Sequence, residues 1–408
     1  MGTEVRNGPS ARARWGVCVL LAGAVAAALT LALRAPLIDA QVYRGGVEVW
    51  LAGQDVYQAS IHTSAINLPF TYPPFALFAL AVLFAPPLAV GATLLTLIGM
   101  AAMFGACLMV ARRFDLDPWR AALAAAGATL VGAFAEPLRE TFEFGQINLL
   151  LMGLVAVDCL ARNPRWPRGA LIGVAAAIKL TPAGFLLYFA ARRQWRPVVV
   201  GGASFLVCTG LAWAVTPGNS ADFWFRAVLD PSRVGGLAYA GNQSLRGAIE
   251  RFDLPGSTGK LLWVALAAAA VVVAALLAHR TRDDEHGEVV GWFAVAAAAL
   301  LISPVSWSHH WVYAVPFTLA LGYWAAARPV RLWAPIVVAA VFLTGPHWFL
   351  PRESERERQW TLAQHIPGDA FVLVAVVALA VALVLAYRRR PAPAPGVGVI
   401  PEPALSAP

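Results

Sequence analysis

The sequence predicts an all-α protein that crosses a membrane many times. Hydrophobic residues make up 59% of its 408 residues, and charged residues only 13%, whereas soluble domains carry about 25% charged residues. Apolar runs close to the roughly 20 residues that one membrane span requires recur along the chain, for example at residues 16–33, 261–278 and 371–386. These observations together exclude an ordinary soluble domain.

Arginine-rich loops between the apolar runs predict the orientation in the membrane, because short loops rich in Arg and Lys lie on the cytoplasmic side. These loops and the N-terminal segment hold 19 of the 31 Lys and Arg residues, so we interpret the net charge of +8 as a topology signal and expect no nucleic-acid partner. The clusters are Arg6, Arg12 and Arg14; Arg112, Arg113 and Arg120; Arg162, Arg165 and Arg168; Arg192, Arg193 and Arg196; Arg280 and Arg282; Arg328 and Arg331; Arg388, Arg389 and Arg390.

With these loops inside, the sequence predicts about twelve crossings and places both termini in the cytoplasm. Residues 1–14 form the cytoplasmic N-terminus, residues 15–390 the transmembrane domain, and residues 391–408 a disordered cytoplasmic tail, because that tail is Pro-rich and cannot form a core. The predicted spans are 15–34, 75–111, 120–137, 146–161, 169–180, 182–191, 197–216, 260–279, 288–303, 311–327, 332–350 and 369–387.

Two predicted spans are irregular. Residues 75–111 are too long for one simple crossing and are interrupted at Pro86-Pro87. The short pair that meets at Lys179 cannot cross ~30 Å of hydrocarbon at ~1.5 Å per residue. A break of this kind is stable only where protein or water lines it, so we expect a cavity above Lys179.

The polar stretches all fall on the side opposite the arginine-rich loops. Ionisable groups at membrane depth are costly and therefore suggest function. The sequence thus predicts one extracytoplasmic site built from five segments. The segments are residues 35–74, which contain IDAQVY and FTYPPF; EPLRETFEFGQIN, residues 136–148; Lys179; GNQSLRG, residues 241–247; and SPVSWSHH, residues 303–310.

The residue types in these segments suit a polar substrate carried on a lipid phosphate. A buried carboxylate suits a general base, because burial raises its pKa towards the working pH, and Lys179 can hold a phosphate as a point charge. Side chains that donate and accept hydrogen bonds suit sugar hydroxyls, and indole rings can stack on a sugar. The candidate substrate contacts are Tyr43, Tyr72, Glu143, Gln146, Asn148, Asn242, Gln243, Ser244 and Trp307, with Trp311 a further indole.

Each candidate also has a simpler interpretation. Asp39 is compatible with a carboxylate at a helix end that faces water, and Asp55 is a rival base. Lys179 is compatible with snorkelling to the interface, and Glu143 with an ion pair to Arg139.

The other polar segments also have simpler interpretations. Neighbours on a helix point about 100° apart, so only one of His309 and His310 is expected to face a cavity, and both are compatible with an interfacial belt. The segment from Asn242 to Arg246 is compatible with a turn and a helix cap, and RESERER, residues 352–358, with a solvated surface.

The six stretches IDAQVY, FTYPPF, FGQINLLL, AAIKLTP, GNQSLRG and SPVSWSHHWVY occur in this order over residues 38–313. Together they resemble the actinobacterial glycosyltransferase family 87, whose members have the multi-spanning GT-C fold. The resemblance implies an inverting α-(1,2)-mannosyltransferase of the plasma membrane, with its active site on the extracytoplasmic face. Its partners would be a polyprenyl-phosphate-mannose donor, a glycolipid acceptor of the phosphatidylinositol mannoside type, and membrane lipids.

The resemblance also implies roles for particular residues. Asp39 would be the catalytic base, and the pair His309-His310 would line the donor phosphate or the acceptor hydroxyl. From the residue types we add Lys179, Arg246 and one of the two histidines as the groups that stabilise the leaving polyprenyl phosphate. No cofactor and no metal are expected, since the only Asp-x-Asp spelling, at Asp115 and Asp117, falls in a cytoplasmic loop.

Two alternatives remain open. One is a polyprenyl-phosphate-arabinose-dependent arabinosyltransferase of the same fold. The other is a transporter or flippase for a lipid-linked solute, which would need polar residues accessible from both faces.

Overall fold

The computed structural model describes residues 11–230, 233, 235–327, 329–352 and 354–388. Outside the described residues lie the first ten residues of the predicted N-terminal segment, which include Arg6, and the whole predicted tail. Arg328, Arg389 and Arg390 also lie outside them. Within them the secondary structure is helical apart from one two-stranded sheet, so the predicted all-α class is confirmed.

The α-helices in chain order are α1 (Ala11–Arg34), α2 (Ile38–Leu51), α3 (Ala76–Phe84), α4 (Leu88–Ala111), α5 (Pro118–Gly132), α6 (Glu136–Phe144), α7 (Asn148–Leu160), α8 (Ala170–Ile178), α9 (Leu186–Ala191), α10 (Trp195–Val215), α11 (Pro217–Phe225), α12 (Leu245–Glu250), α13 (Thr258–Arg280), α14 (Glu285–Ile302), α15 (Ala314–Ala326), α16 (Trp333–Thr344), α17 (Leu362–Gly368) and α18 (Ala370–Arg388). Short 3₁₀-helices include Thr181–Phe185 and Ser308–His310. Strands β1 (Ser60–His62) and β2 (Asn67–Pro69) pair antiparallel, with Ile61 opposite Leu68.

Six of the described helices are long and apolar enough to cross a membrane. They are α1, α4, α10, α13, α14 and α18, and a seventh span results if α5 and α6, which are bent by 68° at their junction, form one broken span. Further apolar helices of 10–17 residues, among them α7, α15 and α16, are short for ~30 Å of hydrocarbon at ~1.5 Å per residue. The predicted number of about twelve spans is therefore not confirmed, whereas the multi-spanning class is.

The two predicted irregularities are present. Helix α3 ends at Phe84 and α4 begins at Leu88, so the chain is interrupted at the two prolines. Helix α8 ends at Ile178, Lys179 has extended backbone, and a 3₁₀-helix begins at Thr181. Proline at position 182 fits this place, because a ring without an N–H is tolerated at the start of a helix and not in its interior.

Three segments that the sequence predicts as outer loops are partly helical. Residues 35–74 contain α2 and the β1–β2 hairpin, residues 136–148 contain α6, and residues 217–259 contain α11 and α12. Their amphipathic or short helices do not have the long apolar runs on which the span prediction depends.

Small residues hold α8 against α10, which fixes the helix that ends beside Lys179. A methyl group added at Gly173 would lie 2.4 Å from the carbonyl oxygen of Gly201, and also within contact distance of Ser204. The two backbones can approach this closely because neither glycine carries a side chain, as in other membrane helix pairs.

A buried ion pair anchors the predicted outer loops to the last predicted span. Arg251, which is fully buried, donates from Nε to Asp369 at 2.9 Å and from its terminal nitrogens to the carbonyl oxygens of Tyr239 and Asn242. Loss of one partner of such a pair costs ~3–5 kcal/mol, because the other charge remains buried without a counter-ion. The start of α18 and the loop before α12 are thus held together.

Candidate active site

The carboxylate of Asp39 lies in the first turn of α2, where the helix dipole favours a negative charge. Burial raises the pKa of this carboxyl from 3.8 to about 6, although a hydrogen bond from Gln146 and the positive charge of Lys179 oppose the rise. A carboxylate with a pKa near 6 can be deprotonated at neutral pH and still accept a proton readily. Asp39 therefore has the properties of a general base.

Gly145 allows the chain to bring Gln146 against α2. Its φ of 70° lies in the left-handed region, where a side chain is strained, and a methyl group added to it would lie 2.7 Å from the Cβ of Ala40. No other residue type would let α6 end at Phe144 and the following turn pack on the helix that carries Asp39. Its place in the motif FGQINLLL gives no sign of this role.

The amide of Gln146 is oriented by two tyrosines. Its Oε1 accepts hydrogen bonds from the hydroxyls of Tyr43, at 2.9 Å, and Tyr72, at 3.3 Å, and these hydroxyls lie 2.8 Å from each other. With the oxygen occupied, the NH₂ group is left to donate to Asp39. Tyr43 and Tyr72 are both buried, so the structure places them behind Gln146, where they fix its amide.

Lys179 lies at the centre of a second set of contacts. Its Nζ donates to Asn148 Oδ1 and to His310 Nε2, each at 3.0 Å. Since Gln146 and Asn148 are two residues apart, the same turn reaches Asp39 with one amide and Lys179 with the other. The structure therefore brings together four of the predicted segments, those of Asp39, Gln146, Lys179 and His310.

Of the two histidines, His310 faces the cluster. His309 is 6% exposed, packs edge-on against Phe144 at 5.3 Å between ring centroids, and contributes its backbone carbonyl to Asn148 and Thr141. Burial and the charge of Lys179 hold the pKa of both imidazoles well below the usual value. His310 is consequently neutral at physiological pH and can act as a hydrogen-bond partner but not as a cation.

A small cleft of about 40 Å³ opens beside Lys179 and His310, at the place where the sequence predicts a cavity. Asn148, Lys179 and His310 form its polar end, while the rest of its lining is mainly apolar. Its volume suffices for about one to three water molecules. A phosphate would have to open the cleft and replace the neutral partners of Lys179. The apolar lining includes Leu151, Met152, Phe185, Leu300 and Tyr313.

The side chains of Asn242, Gln243 and Ser244 hold two loops together and do not face the cleft. All three are fully buried. Asn242 donates to the carbonyl oxygens of Leu237 and Pro304 and accepts from the N–H of Ser306. Gln243 bonds to Ala240, Gly368 and Phe371. Since these polar groups are occupied by backbone, the predicted substrate contacts are wrong for this structure and the turn interpretation is correct.

Ser244 and Arg246 also fit the simpler interpretation of this segment as a turn and a helix cap. Ser244 Oγ caps α12 by accepting from the N–H of Gly247, and Arg246 pairs with Glu250 one turn later. A neighbouring backbone pairing joins Asn242 to Trp307. The GNQSLRG segment thus positions the loop that carries His310, and the structure gives Arg246 no place at the cleft.

The remaining candidates lie near the cluster without joining it. Glu143 is partly exposed, and its predicted ion pair with Arg139 does not occur among the described residues. Trp307 packs against Tyr239 at 6.0 Å. Trp311 is 4% exposed and packs on Phe342 and Phe371, so stacking on a sugar is excluded for it by burial.

The RESERER segment was predicted to be a solvated surface, and this is wrong at one residue. Glu357 is 1% exposed and accepts a hydrogen bond from the N–H of Ala240 at 3.1 Å. The alternation of charge in the sequence gives no sign that one carboxylate turns inward. Thr141, which helps to hold the His309 carbonyl, was likewise missed because a threonine in a helix has no functional signature.

The profile of glycosyltransferase family 87 matches residues 70–304, more than half of the chain. The chain belongs to glycosyltransferase family 87. The family that the six motifs resemble is therefore confirmed, and the protein is a membrane glycosyltransferase of the all-α class expected for it.

Two similar proteins are named as mannosyltransferases. The chain is 35% identical over 357 residues to the polyprenol-phosphate-mannose-dependent alpha-(1-2)-phosphatidylinositol mannoside mannosyltransferase of Mycolicibacterium smegmatis, with 82% of this chain and 81% of the relative covered. It is 34% identical to a polyprenol-phosphate-mannose-dependent alpha-(1-2)-phosphatidylinositol pentamannoside mannosyltransferase of that species, with 81% of each chain covered. ArnT from Cupriavidus metallidurans, solved with undecaprenyl phosphate, aligns with a TM-score of 0.39 at 16% identity over 92% of this chain and 77% of ArnT, which is too distant to support an argument.

Proposed function

We propose that this family 87 enzyme is an inverting α-(1,2)-mannosyltransferase. It moves mannose from polyprenyl-phosphate-mannose to a mannosylated lipid of the phosphatidylinositol mannoside type, on the extracytoplasmic face of the plasma membrane. The observation that carries the proposal is the contact chain Asp39–Gln146 and Asn148–Lys179–His310, which joins one carboxylate to one cation at the polar end of an apolar cleft. The names of the relatives supply the donor and the acceptor class.

The carboxylate acts on the acceptor. Asp39 takes the proton of a mannose hydroxyl as the hydroxyl oxygen forms a bond to the anomeric carbon of the donor, and the bond from that carbon to the phosphate oxygen breaks. The family resemblance implies a β-linked donor, so an α-linked product requires inversion at this carbon, and one displacement and one base suffice. Gln146 holds Asp39 in place, since its own amide is fixed by the two tyrosine hydroxyls.

The cation acts on the leaving group. Lys179 donates to the phosphate in place of Asn148 and His310, and a charged acceptor makes a stronger hydrogen bond than these neutral ones. The apolar walls beside it suit the first isoprene units of the lipid. His310 then donates through its other ring nitrogen, because a neutral imidazole carries one donor and one acceptor.

The direct test uses the purified full chain in lipid nanodiscs with polyprenyl-phosphate-[¹⁴C]mannose and a phosphatidylinositol mannoside acceptor. We expect a radiolabelled product whose new linkage is α-(1,2) by NMR. The absence of transfer under these conditions would refute the proposal in favour of a transporter. Efficient transfer from polyprenyl-phosphate-arabinose and none from the mannose donor would favour the arabinosyltransferase.

The pH profile should report the ionisation of Asp39. Since the base must be deprotonated and its pKa is about 6, kcat/KM should fall as the pH decreases through about 6 and level off near pH 7. The measurement is kcat/KM for the acceptor between pH 4.5 and 8.5, with donor saturating and folding monitored by fluorescence. A rate that is independent of pH across 5 to 7 would contradict the assignment.

The extracytoplasmic location can be tested by cysteine labelling. Ala65, in the exposed turn between β1 and β2, and Asp283, in an arginine-rich loop, are the sites for substitution. In intact cells a membrane-impermeant maleimide should label Ala65→Cys and not Asp283→Cys, which becomes reactive after lysis. The unsubstituted chain is the control, because Cys18 lies within α1 and the other three cysteines are buried. The reverse labelling pattern would show that the topology is opposite to the predicted one.

A further inference from the structure

A second cavity of about 460 Å³ lies between the end of α2 and the start of α11, away from the active-site cluster. Residues 53–55 form one wall, and residues 218–226 form the other. The volume falls within the range of ~300–1,000 Å³ that is usual for small-molecule sites. Apart from Asp55, which the sequence offers as a rival base, these residues have no predicted role, and the transfer step described above does not use them.

The lining has the chemistry of a carbohydrate site. Gln54 offers an amide that donates and accepts, and Asp55 offers a carboxylate, which match sugar hydroxyls. Asn219 and Asp222 are bonded within the protein and shape the opposite wall. Phe225, whose side chain is 69% exposed, presents an aromatic ring on which the apolar face of a sugar can lie.

The charges in the cavity favour a neutral ligand. Arg226 forms an ion pair with Asp222, and Asp55 also lines the cavity, so the lining carries two carboxylates and one guanidinium. Without an excess of positive charge, a phosphate or an acidic headgroup would be repelled. A polyhydroxyl ligand without charge meets no such repulsion.

The polar groups are fixed before any ligand binds. Asp55 Oδ1 accepts from the N–H of Tyr57 at 2.9 Å, and Asp222 Oδ2 accepts from Gln58 at 3.3 Å. Asn219 accepts from the N–H of Val56 at 2.8 Å and donates to Thr216 at 2.9 Å. Binding to groups that are already ordered costs less conformational entropy, so this cavity is preorganised.

The cavity lies close to the end of a candidate membrane span and at the opposite end of α2 from Asp39. Helix α10, a candidate span, ends at Val215, two residues before α11, so the cavity lies where the chain leaves the membrane. Asp39 is at the other end of the 14-residue α2, which is ~20 Å long at ~1.5 Å per residue. A single sugar cannot reach both places, whereas an oligosaccharide can.

We propose that this cavity is a second carbohydrate site, which binds inner sugars of the acceptor glycan while its terminal mannose meets Asp39. The inference rests on the proposed function, because it takes the acceptor to be a mannosylated lipid. It adds a basis for acceptor choice: acceptors long enough to occupy both places bind more tightly than short ones.

The test compares two acceptors with the variant Phe225→Ala in the purified full chain. With a phosphatidylinositol mannoside that carries several mannoses, KM should rise about fivefold, the effect of one aromatic contact, while kcat and the donor KM stay the same. With octyl α-mannoside, which has one sugar, KM should not change. The matched control is Phe349→Ala, which removes an exposed phenylalanine outside the cavity. An equal change for both acceptors, or no change for either, would refute the second site.

A binding measurement separates this inference from the proposed function. The affinity of the purified chain for soluble α-mannotetraose is measured by isothermal titration calorimetry. Compared with the unsubstituted chain, it should be about fivefold weaker for Phe225→Ala and unchanged for Phe349→Ala. Such a difference in a chain that transfers no mannose would support the carbohydrate site and refute the mannosyltransferase. Equal binding by the unsubstituted chain and Phe225→Ala, or no binding by either, would refute the site whether or not transfer occurs.

Discussion

Replacing Asp39 by Asn should lower the rate of mannosyl transfer by about 10³-fold, within the range that a general base contributes. The amide has the shape of the carboxylate and can still accept the hydrogen bond from Gln146, but it cannot take a proton from the acceptor hydroxyl. The measurement is kcat with both substrates saturating, together with the melting temperature of the purified protein. We expect KM for the donor and the thermal stability to change little.

The control for this substitution is Asp253→Asn, which removes a carboxylate that is 71% exposed on the outer loops and should retain full activity. Transfer by Asp39→Asn at a rate comparable with that of the unsubstituted enzyme would exclude Asp39 as the base. A loss of activity accompanied by a large fall in melting temperature would assign it a structural role instead.

Replacing Lys179 by Ala should lower kcat/KM for the donor by about 100-fold, because one hydrogen bond to a charged group contributes ~1.5–3 kcal/mol. The acceptor KM should change much less, since Lys179 contacts Asn148 and His310 and lies on the side of the cluster that meets the lipid phosphate. The measurement varies each substrate in turn while the other is held saturating.

Two further lysine variants sharpen this result. Lys260→Ala removes the other lysine of the chain, which is exposed at the start of α13, and should leave both constants unchanged. Lys179→Arg keeps the positive charge and should recover part of the donor affinity, although its planar group fits the cleft differently. Equal losses for donor and acceptor in Lys179→Ala would contradict a phosphate role.

Much of the cluster could be predicted from the sequence, because its members are polar residues in apolar surroundings. Asp39, Gln146, Asn148, Lys179 and the histidine pair stand out for this reason. The sequence could not show that Asn242 and Gln243 bond to backbone, since the same amide groups suit a carbonyl oxygen and a sugar hydroxyl equally well. Only the positions of the neighbouring loops distinguish the two.

The fold was predictable in class and less so in detail. Hydropathy identifies long apolar helices such as α1 and α13. It does not distinguish a short crossing from an apolar helix packed inside the protein, as at α8 and α9. The outer helices α2 and α11 were missed because they are amphipathic or short, and their apolar faces pack on the protein itself.

The pairing of Arg251 with Asp369 has a consequence for how the protein matures. Asp369 immediately precedes the final helix, so the carboxylate that neutralises Arg251 is among the last described parts of the polypeptide to be synthesised. Until it arrives, the guanidinium has no carboxylate partner in this pair, and the loop before α12 is held only by its other bonds, such as those to Pro304 and Ser306. We therefore expect a chain truncated before Asp369 to bury Arg251 without a counter-ion, and so to be less stable in the loop before α12.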